Sequence, residues 1–297
     1  MSIATIDNTE AAALRRHYRR RHVTARVFLY LAAIGAALIA AGPFLWSLIT
    51  TFKLNRDLYN PDNNPFILNE PPTSDHIKLL FNGTPFLTFV WNTVWVGVLV
   101  VAITLALSLP AAYSLARLNR PWSTPMAVAI FFVYLVPPSL LFLSLSRMVA
   151  ALGLQDSTWS LVLIYPTITI PVSVWLLMGF LKAIPKDVEE QAMVDGHSRV
   201  GAFLRTVIPL VFPGIVAVVV FAFVITASEF IYALAFISPS PEKPISTGVP
   251  TELVRGDVFF WQSLQAATIL VAVPIAFVFN FFLERFIAGF TMGAVKG

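Results

Sequence analysis

The chain contains no cysteine, which excludes disulfides, thiolate metal sites and cysteine nucleophiles. Charge is also scarce: 12% of the 297 residues are Asp, Glu, Lys or Arg, about half the ~25% carried by a soluble domain. The four histidines, His17, His22, His76 and His197, are scattered, and no HExxH sets two of them on one helix face. GxSxG is missing, as is a pair of aspartates within an apolar segment. The phosphate-cradling loop GxxxxGK(S/T) is absent too, so the chain does not bind ATP by that device. These absences leave little room for an enzyme, intramembrane or otherwise. The excess of four basic charges lies largely at the N-terminus, where it bears on orientation in a membrane, and no nucleic-acid partner is expected.

What the chain has instead is apolar length. Hydrophobic residues make up 57% and the mean hydropathy is +0.77. A spanning helix needs about 20 apolar residues, and six segments qualify, at 27–51, 86–113, 124–146, 158–181, 209–237 and 263–283. The expected fold is all-α, a polytopic membrane protein with six transmembrane helices. Residues 1–26 read as a basic tail, expected to be mobile, with RRHYRRRH at 15–22. The first apolar segment is long for a signal peptide, which favours a retained helix, although its alanines and Gly42 leave cleavage open. Residues 27–288 then form the six-span region and 289–297 a C-terminal tail. Within the 52–85 connection, residues 73–81 read as a short capped helix with an apolar edge at Ile77, Leu80 and Phe81.

Lysine and arginine set the orientation. Fourteen of the 20 lie in the N-terminal tail, the turn after span 2, the connection after span 4 and the C-terminus; six lie on the other side. Both termini are therefore expected in the cytoplasm. Many prolines interrupt the spans, among them Pro110, Pro137, Pro138, Pro171, Pro213 and Pro274. Broken helices suit a pathway that opens and closes; ordinary packing irregularity is the other reading. Glu229 is the one formal charge inside a span. An intramembrane charge is a functional hypothesis by default, so Glu229 with Tyr232, Thr226 and Ser228 is a candidate lining of a solute path. Glu229 also fits an interfacial side chain reaching water. Asn92, Thr93 and Asn280 are further pathway candidates, though such residues commonly bond helix to helix.

The most polar feature near the membrane is the stretch between spans 4 and 5, residues 182–208. Pro185 suits the first position of a helix, and Asp187, Glu189 and Glu190 complement the helix dipole near its start. Gly196 is placed to end that helix in the left-handed region, and Ser198 to cap the next one. Val200, Phe203, Leu204 and Val207 follow at helical spacing and predict one apolar face. Helix, bend and amphipathic helix between two spans suit either a docking element or a connector lying on the membrane surface.

Residues 190–196, EQAMVDG, followed thirteen residues later by Pro209, resemble the EAA loop of ABC importer permeases. Glu190, Ala192, Asp195, Gly196 and Pro209 match that pattern; Gln191 stands for its first alanine, and His197 for the alanine usual in the carbohydrate branch. The closing GFTMGAVKG, the segment around His76 to Phe81 and Ala116-Arg117-Leu118 are similar to the maltose-type second permease of sugar importers. The resemblance implies half of a translocation path for a sugar, completed by a homologous companion permease. It implies two copies of an ABC ATPase subunit, which carry the ATP and Mg, docked on the loop at Glu190, Ala192, Asp195 and Gly196. It also implies an extracytoplasmic substrate-binding protein, a bacterial inner-membrane location, and a tail at 289–297 that reaches toward the ATPases. A self-sufficient secondary transporter or channel is the alternative; it would want coupling-ion residues near the midplane and often a repeat between halves.

Overall fold

The computed structural model describes residues 8–118 and 121–294, with side-chain surroundings given within 26–281 apart from 119, 120, 138 and 240. The regular elements of the described chain are helices, apart from one hairpin of two two-residue strands. It divides into two compact units, residues 1–73 and 74–297.

The first unit holds one long helix, α1 (Asn8–Thr51), with Pro43 inside it. The basic stretch at 15–22, expected in a mobile tail, is helical backbone here. None of the residues in the most apolar stretch of α1 is fully buried, whereas Ser47, Thr50 and Thr51 at its end are. Ser47 Oγ donates to the Pro43 carbonyl and Thr51 Oγ1 to that of Ser47, both at 2.9 Å, the i−4 back-bonds that satisfy hydroxyls within a helix.

After α1 and the short α2 (Asn55–Leu58), residues 52–73 close on themselves: Thr73 N–H donates to the Phe52 carbonyl at 2.9 Å. Asp57 is the hub, 1% exposed. Its carboxylate accepts from Asn69 N–H (3.1 Å), Asn69 Nδ2 (2.8 Å) and Asn63 Nδ2 (2.9 Å), with Lys53 Nζ 3.6 Å away. Burial pushes this carboxyl up, but the Asn69 and Asn63 hydrogen bonds and the Lys53 charge outweigh it and hold Asp57 below its ordinary value.

The second unit starts with α3 (Asp75–Gly83), the short helix expected from sequence. Leu80 is buried, and Phe81 meets Phe86 edge-on at 5.3 Å. The central element is α4 (Phe86–Arg117), packed against α8 (Pro166–Ala183), which continues α7 (Trp159–Ile164), and against α11 (Ile208–Ser228). Where these helices cross, small residues let backbones approach, as association in lipid requires. A Cβ on Gly97 would lie 2.6 Å from the Phe223 ring, and one on Gly214 2.6 Å from the Phe180 ring. Thr104 and Thr169 share a buried hydroxyl hydrogen bond of 2.6 Å between α4 and α8.

Two expected spans are broken. In place of a continuous 124–146, the chain forms α5 (Ser123–Tyr134) and α6 (Pro138–Ala151) at an angle of 91°. Pro137 and Pro138 remove two N–H donors and push the backbone between them to extended values, Pro137 having ψ 131°. Five described helices are long and apolar enough to cross a membrane, or six with this bent pair taken as one. The fifth span ends at Ser228, earlier than 237, and resumes after a break as α12 (Ile231–Phe236).

The expected polar loop 238–262 contains α13 (Ile245–Leu253), whose Ile245, Val249 and Leu253 bury against Leu80, Phe86, Phe89, Ala266 and Ala267. A hairpin, β1 (Val254–Arg255) with β2 (Val258–Phe259), leads to α14 (Trp261–Ala294), which continues beyond the expected span end into the segment assigned as a tail. Residues 295–297 lie outside the described residues.

Two outcomes are expected. Gly97→Val should destabilise the helix crossing by about 1–3 kcal/mol, the usual cost of overpacking. Adding Phe223→Ala should recover part of the lost thermal stability, measured on the purified chain in detergent. The Asp57 hub should be pH-dependent. Its folded carboxyl titrates below the ordinary value of 3.8, so its contribution is complete above that pH and is lost as pH falls below it. Protection against hydrogen exchange in residues 52–73, relative to the intrinsic rate at each pH, should fall below about pH 4, and Asp57→Asn should remove most of that dependence.

Candidate functional site

The loop between α8 and α11 folds by local rules. Pro185 occupies the cap position of α9 (Lys186–Val194), one residue earlier than expected. Gly196 has φ +93°. Its N–H donates to the Met193 carbonyl (3.1 Å) and the His197 N–H to that of Ala192 (3.1 Å), the paired bonds of a Schellman motif. Ser198 then caps α10 (Arg199–Ala202), its hydroxyl accepting from Gly201 N–H at 3.2 Å. A single π-helical turn, Phe203–Val207, joins α10 to α11.

The inner face of α9 carries Glu189 and Ala192, three residues apart and both buried. Glu189, by sequence only a charge near a helix start, is a central residue of the site. Its carboxylate accepts from the Tyr113 hydroxyl and lies 3.5 Å from Arg117 Nε, the two charged side chains being 9% and 5% exposed. Arg117 Nη2 donates to the Ile184 carbonyl at the end of α8 (2.9 Å). The Tyr113 ring packs on Phe203 at 4.4 Å. One buried ion pair thus joins α4, the end of α8, α9 and the π turn. Spacing does not single out Glu189, since Glu189 and Asp195 each lie three residues from Ala192.

The outer face is open. Asp187, Glu190, Gln191, Val194 and Asp195 line a shallow groove of about 250 Å³. Val194 in this groove is 87% exposed, and further along the loop Val200 is 65% and Leu204 54% exposed. The apolar face expected at 200, 203, 204 and 207 is therefore split: Phe203 and Val207 pack inward, while Val200 and Leu204 point out. Of the residues matching the EAA pattern, Glu190, Asp195 and Gly196 sit on or beside the open face, and Ala192 sits on the inner one. Pro209 lies in the first turn of α11.

The pathway candidates are not brought together on one open surface. Glu229 lies just past α11, and its carboxylate accepts from the N–H groups of Tyr232 (3.1 Å) and Ala233 (3.2 Å), capping α12. Tyr232 is fully buried and stacks on Phe236 at 5.6 Å; Thr226 is also buried. Asn92 donates to the carbonyls of Pro241 (2.8 Å) and Lys243 (3.0 Å), and Thr93 Oγ1 accepts from Ile245 N–H (2.8 Å). In this conformation Asn92, Tyr232 and Glu229 hold the far end of α4, α12 and α13 in register. Asn280 lies on α14, toward the end of its apolar part. Among the described residues no cluster of His, Asp and Glu is disposed to hold a metal.

Fold and site define a polytopic helical membrane protein that presents a bent, acid-faced loop between two of its spans. The chain belongs to the family of binding-protein-dependent transport system inner membrane components, whose sequence profile matches residues 105–291. It is 33% identical over 256 residues to the sulfoquinovosyl glycerol transport system permease protein of Agrobacterium fabrum, covering 86% of this chain and 88% of that one. It is 25% identical over 280 residues to the trehalose/maltose transport system permease protein of Thermococcus litoralis, covering 94% and 99%. Its fold is similar to a chain in the crystal structure of a bacterial ABC transporter that imports alginate, with a TM-score of 0.74 at 17% identity over 90% of this chain and 98% of that one.

Removing one partner of a buried ion pair costs about 3–5 kcal/mol. Glu189→Gln or Arg117→Met should therefore loosen the loop strongly, read as faster hydrogen exchange across residues 185–198. Glu190→Gln, on the open face, should leave that exchange unchanged.

Proposed function

We propose that this chain is the permease subunit of an ATP-driven importer of a sugar or sugar-like solute. In this reading it forms half of the translocation path and couples to separate ATPase subunits through the loop at 182–208. The observation that carries the reading is the two-faced α9. Its inner face is fixed to α4 by Glu189 and Arg117, while its outer face offers Glu190, Asp195 and exposed Val194 beside a glycine-closed bend. A connector lying on the membrane surface would direct its apolar side chains to lipid and its acids to water; here both share one groove, as a protein partner requires.

The partners follow from the same reading. A chain without a phosphate-binding loop takes its energy from ATP and Mg held by two copies of a partner ATPase, and a half-path needs a homologous companion permease. Family membership supports an extracytoplasmic substrate-binding protein and a bacterial inner-membrane location. The named transport of sulfoquinovosyl glycerol and of trehalose and maltose by relatives supports a sugar as solute. A related importer has been crystallised with an alginate pentasaccharide-bound periplasmic protein, in keeping with delivery of solute by such a partner. Closure of the ATPase pair would swing α4, α8 and α11 with the loop, a rigid-body alternation of access. No covalent step occurs in this chain.

Proline at Gly196 is incompatible with its φ of +93°, and a tryptophan at Ala192 would not fit the buried inner face. Gly196→Pro and Ala192→Trp should leave membrane insertion intact, reduce ATPase co-purification and bring uptake to background. Wild-type values for both would remove the docking role. Uptake by the purified chain without any ATPase would overturn the importer reading as a whole.

A further inference from the structure

The 52–73 loop carries three consecutive apolar side chains in the open: Phe66 is 67%, Ile67 52% and Leu68 42% exposed. A short apolar run at a loop tip usually signals something that covers it, and none of the residues assigned to coupling or the pathway lies here. We infer that Phe66, Ile67 and Leu68 form an interfacial anchor that inserts into the boundary between lipid headgroups and acyl chains at the end of span 1.

Depth is the first argument. Phe52 and Lys53 still donate to the carbonyls of Ile49 and Thr50 in the last turn of α1 (both 3.1 Å). Lys53 Nζ donates to the Asn64 carbonyl at 3.1 Å, so one lysine side chain separates residue 64 from the end of the span. Phe66 lies two residues on, at most about 7 Å of chain. The headgroup layer on each side of the acyl core is about 5–8 Å deep, so the tip is within reach of it.

The second argument is the backbone. Polar groups entering an apolar layer are best satisfied internally, and this tip satisfies several of its own. Phe66 N–H donates to Asn64 Oδ1 (2.9 Å), and Asn69 Nδ2 bonds the carbonyls of Asn64 (2.9 Å) and Ile67 (3.4 Å). Asn69 is itself held by the Asp57 hub, which fixes the polar groups inward.

The third argument is charge. Residues 63–69, NNPFILN, contain none; beyond them Glu70 pairs with Arg56 at 2.5 Å, and Asp62 before them is exposed to water. Insertion of residues 66–68 therefore strips water from no charge of the tip itself. A protein partner would leave the three side chains in water whenever it dissociated, whereas lipid covers them throughout.

The absence of cysteine gives a direct test. Single-cysteine variants Ile67→Cys, Ile39→Cys in span 1 and Asp62→Cys on the same loop carry a nitroxide label. The full chain is reconstituted in phosphatidylethanolamine–phosphatidylglycerol bilayers, and spin relaxation by oxygen is compared with relaxation by a water-soluble nickel chelate. The oxygen-to-nickel ratio at 67 should exceed that at 62 several-fold and approach that at 39. A ratio at 67 equal to that at 62 would overturn the anchor, as would shielding from both reagents, which marks a protein cover. In the Ile67→Cys background, Phe66→Asn with Leu68→Asn should bring the ratio down to that of position 62. A ratio that stayed high would mean that something other than the apolar tip holds the label in lipid, and would equally overturn the assignment.

Discussion

The pairing of Glu189 with Arg117 is the constraint on which the rest of this architecture rests. Taking both charges out of water costs several kcal/mol each, and their attraction offsets that only when the remaining hydrogen-bonding capacity is met. Here it is met in part: the Tyr113 hydroxyl bonds the carboxylate and Arg117 Nη2 bonds the Ile184 carbonyl, while the buried Arg117 Nε has only the charge contact with Glu189 at 3.5 Å. Arg117 ends α4, Ile184 follows α8, and Glu189 lies in α9. The pair therefore fixes where two spans end and at what angle the loop leaves them. Replacing it with apolar residues would preserve burial but lose that directional fit, because an ion pair specifies geometry that a greasy contact does not.

The second constraint is that every break in a span must supply its own hydrogen bonds. At Ser228 the helix stops, and Glu229 turns its carboxylate to the N–H groups of Tyr232 and Ala233. Ser246 Oγ bonds the Glu229 carbonyl. The charge that stands out in the sequence is thus used by its neighbours. Asn92 does the same across helices, satisfying carbonyls at 241 and 243. A solute path through this end of the protein would have to compete with these bonds or run beside them.

How much of this was legible depends on the range of the interaction. The bend at Gly196 and the cap at Ser198 were readable because both are set within four residues. The six apolar segments were readable because bilayer thickness fixes their length. The buried member of the acidic run was not, since Glu189 and Glu190 differ only in the face they turn to α4, and that is decided by Arg117, more than seventy residues earlier. The burial of Asn92 and Tyr232 is equally tertiary. By contrast, α13 was within reach: Ile245, Val249 and Leu253 recur at i, i+4, i+8, a face hidden by the prolines around it. The Asp57 hub left only a weak trace, a loop rich in Asn, which is a turn former in general.

Two loops leave apolar side chains exposed, and charge distinguishes what each suits. Both are stiffened from within, one by Glu189 and Arg117, the other by Asp57 and its asparagines. Around Val194 the surface carries Asp187, Glu190 and Asp195. Burying that mixture in lipid would strip three carboxylates of water with nothing in return, so its complement has to supply cationic or hydrogen-bond-donating groups next to apolar ones. A protein cleft does so. Residues 63–69 carry no charge to neutralise, and the Asn64 and Asn69 side chains take up part of the backbone hydrogen bonding there, so an apolar medium at the headgroup boundary is sufficient. The same apolar content therefore suits a protein at one loop and a bilayer at the other, because polar neighbours decide what can cover it.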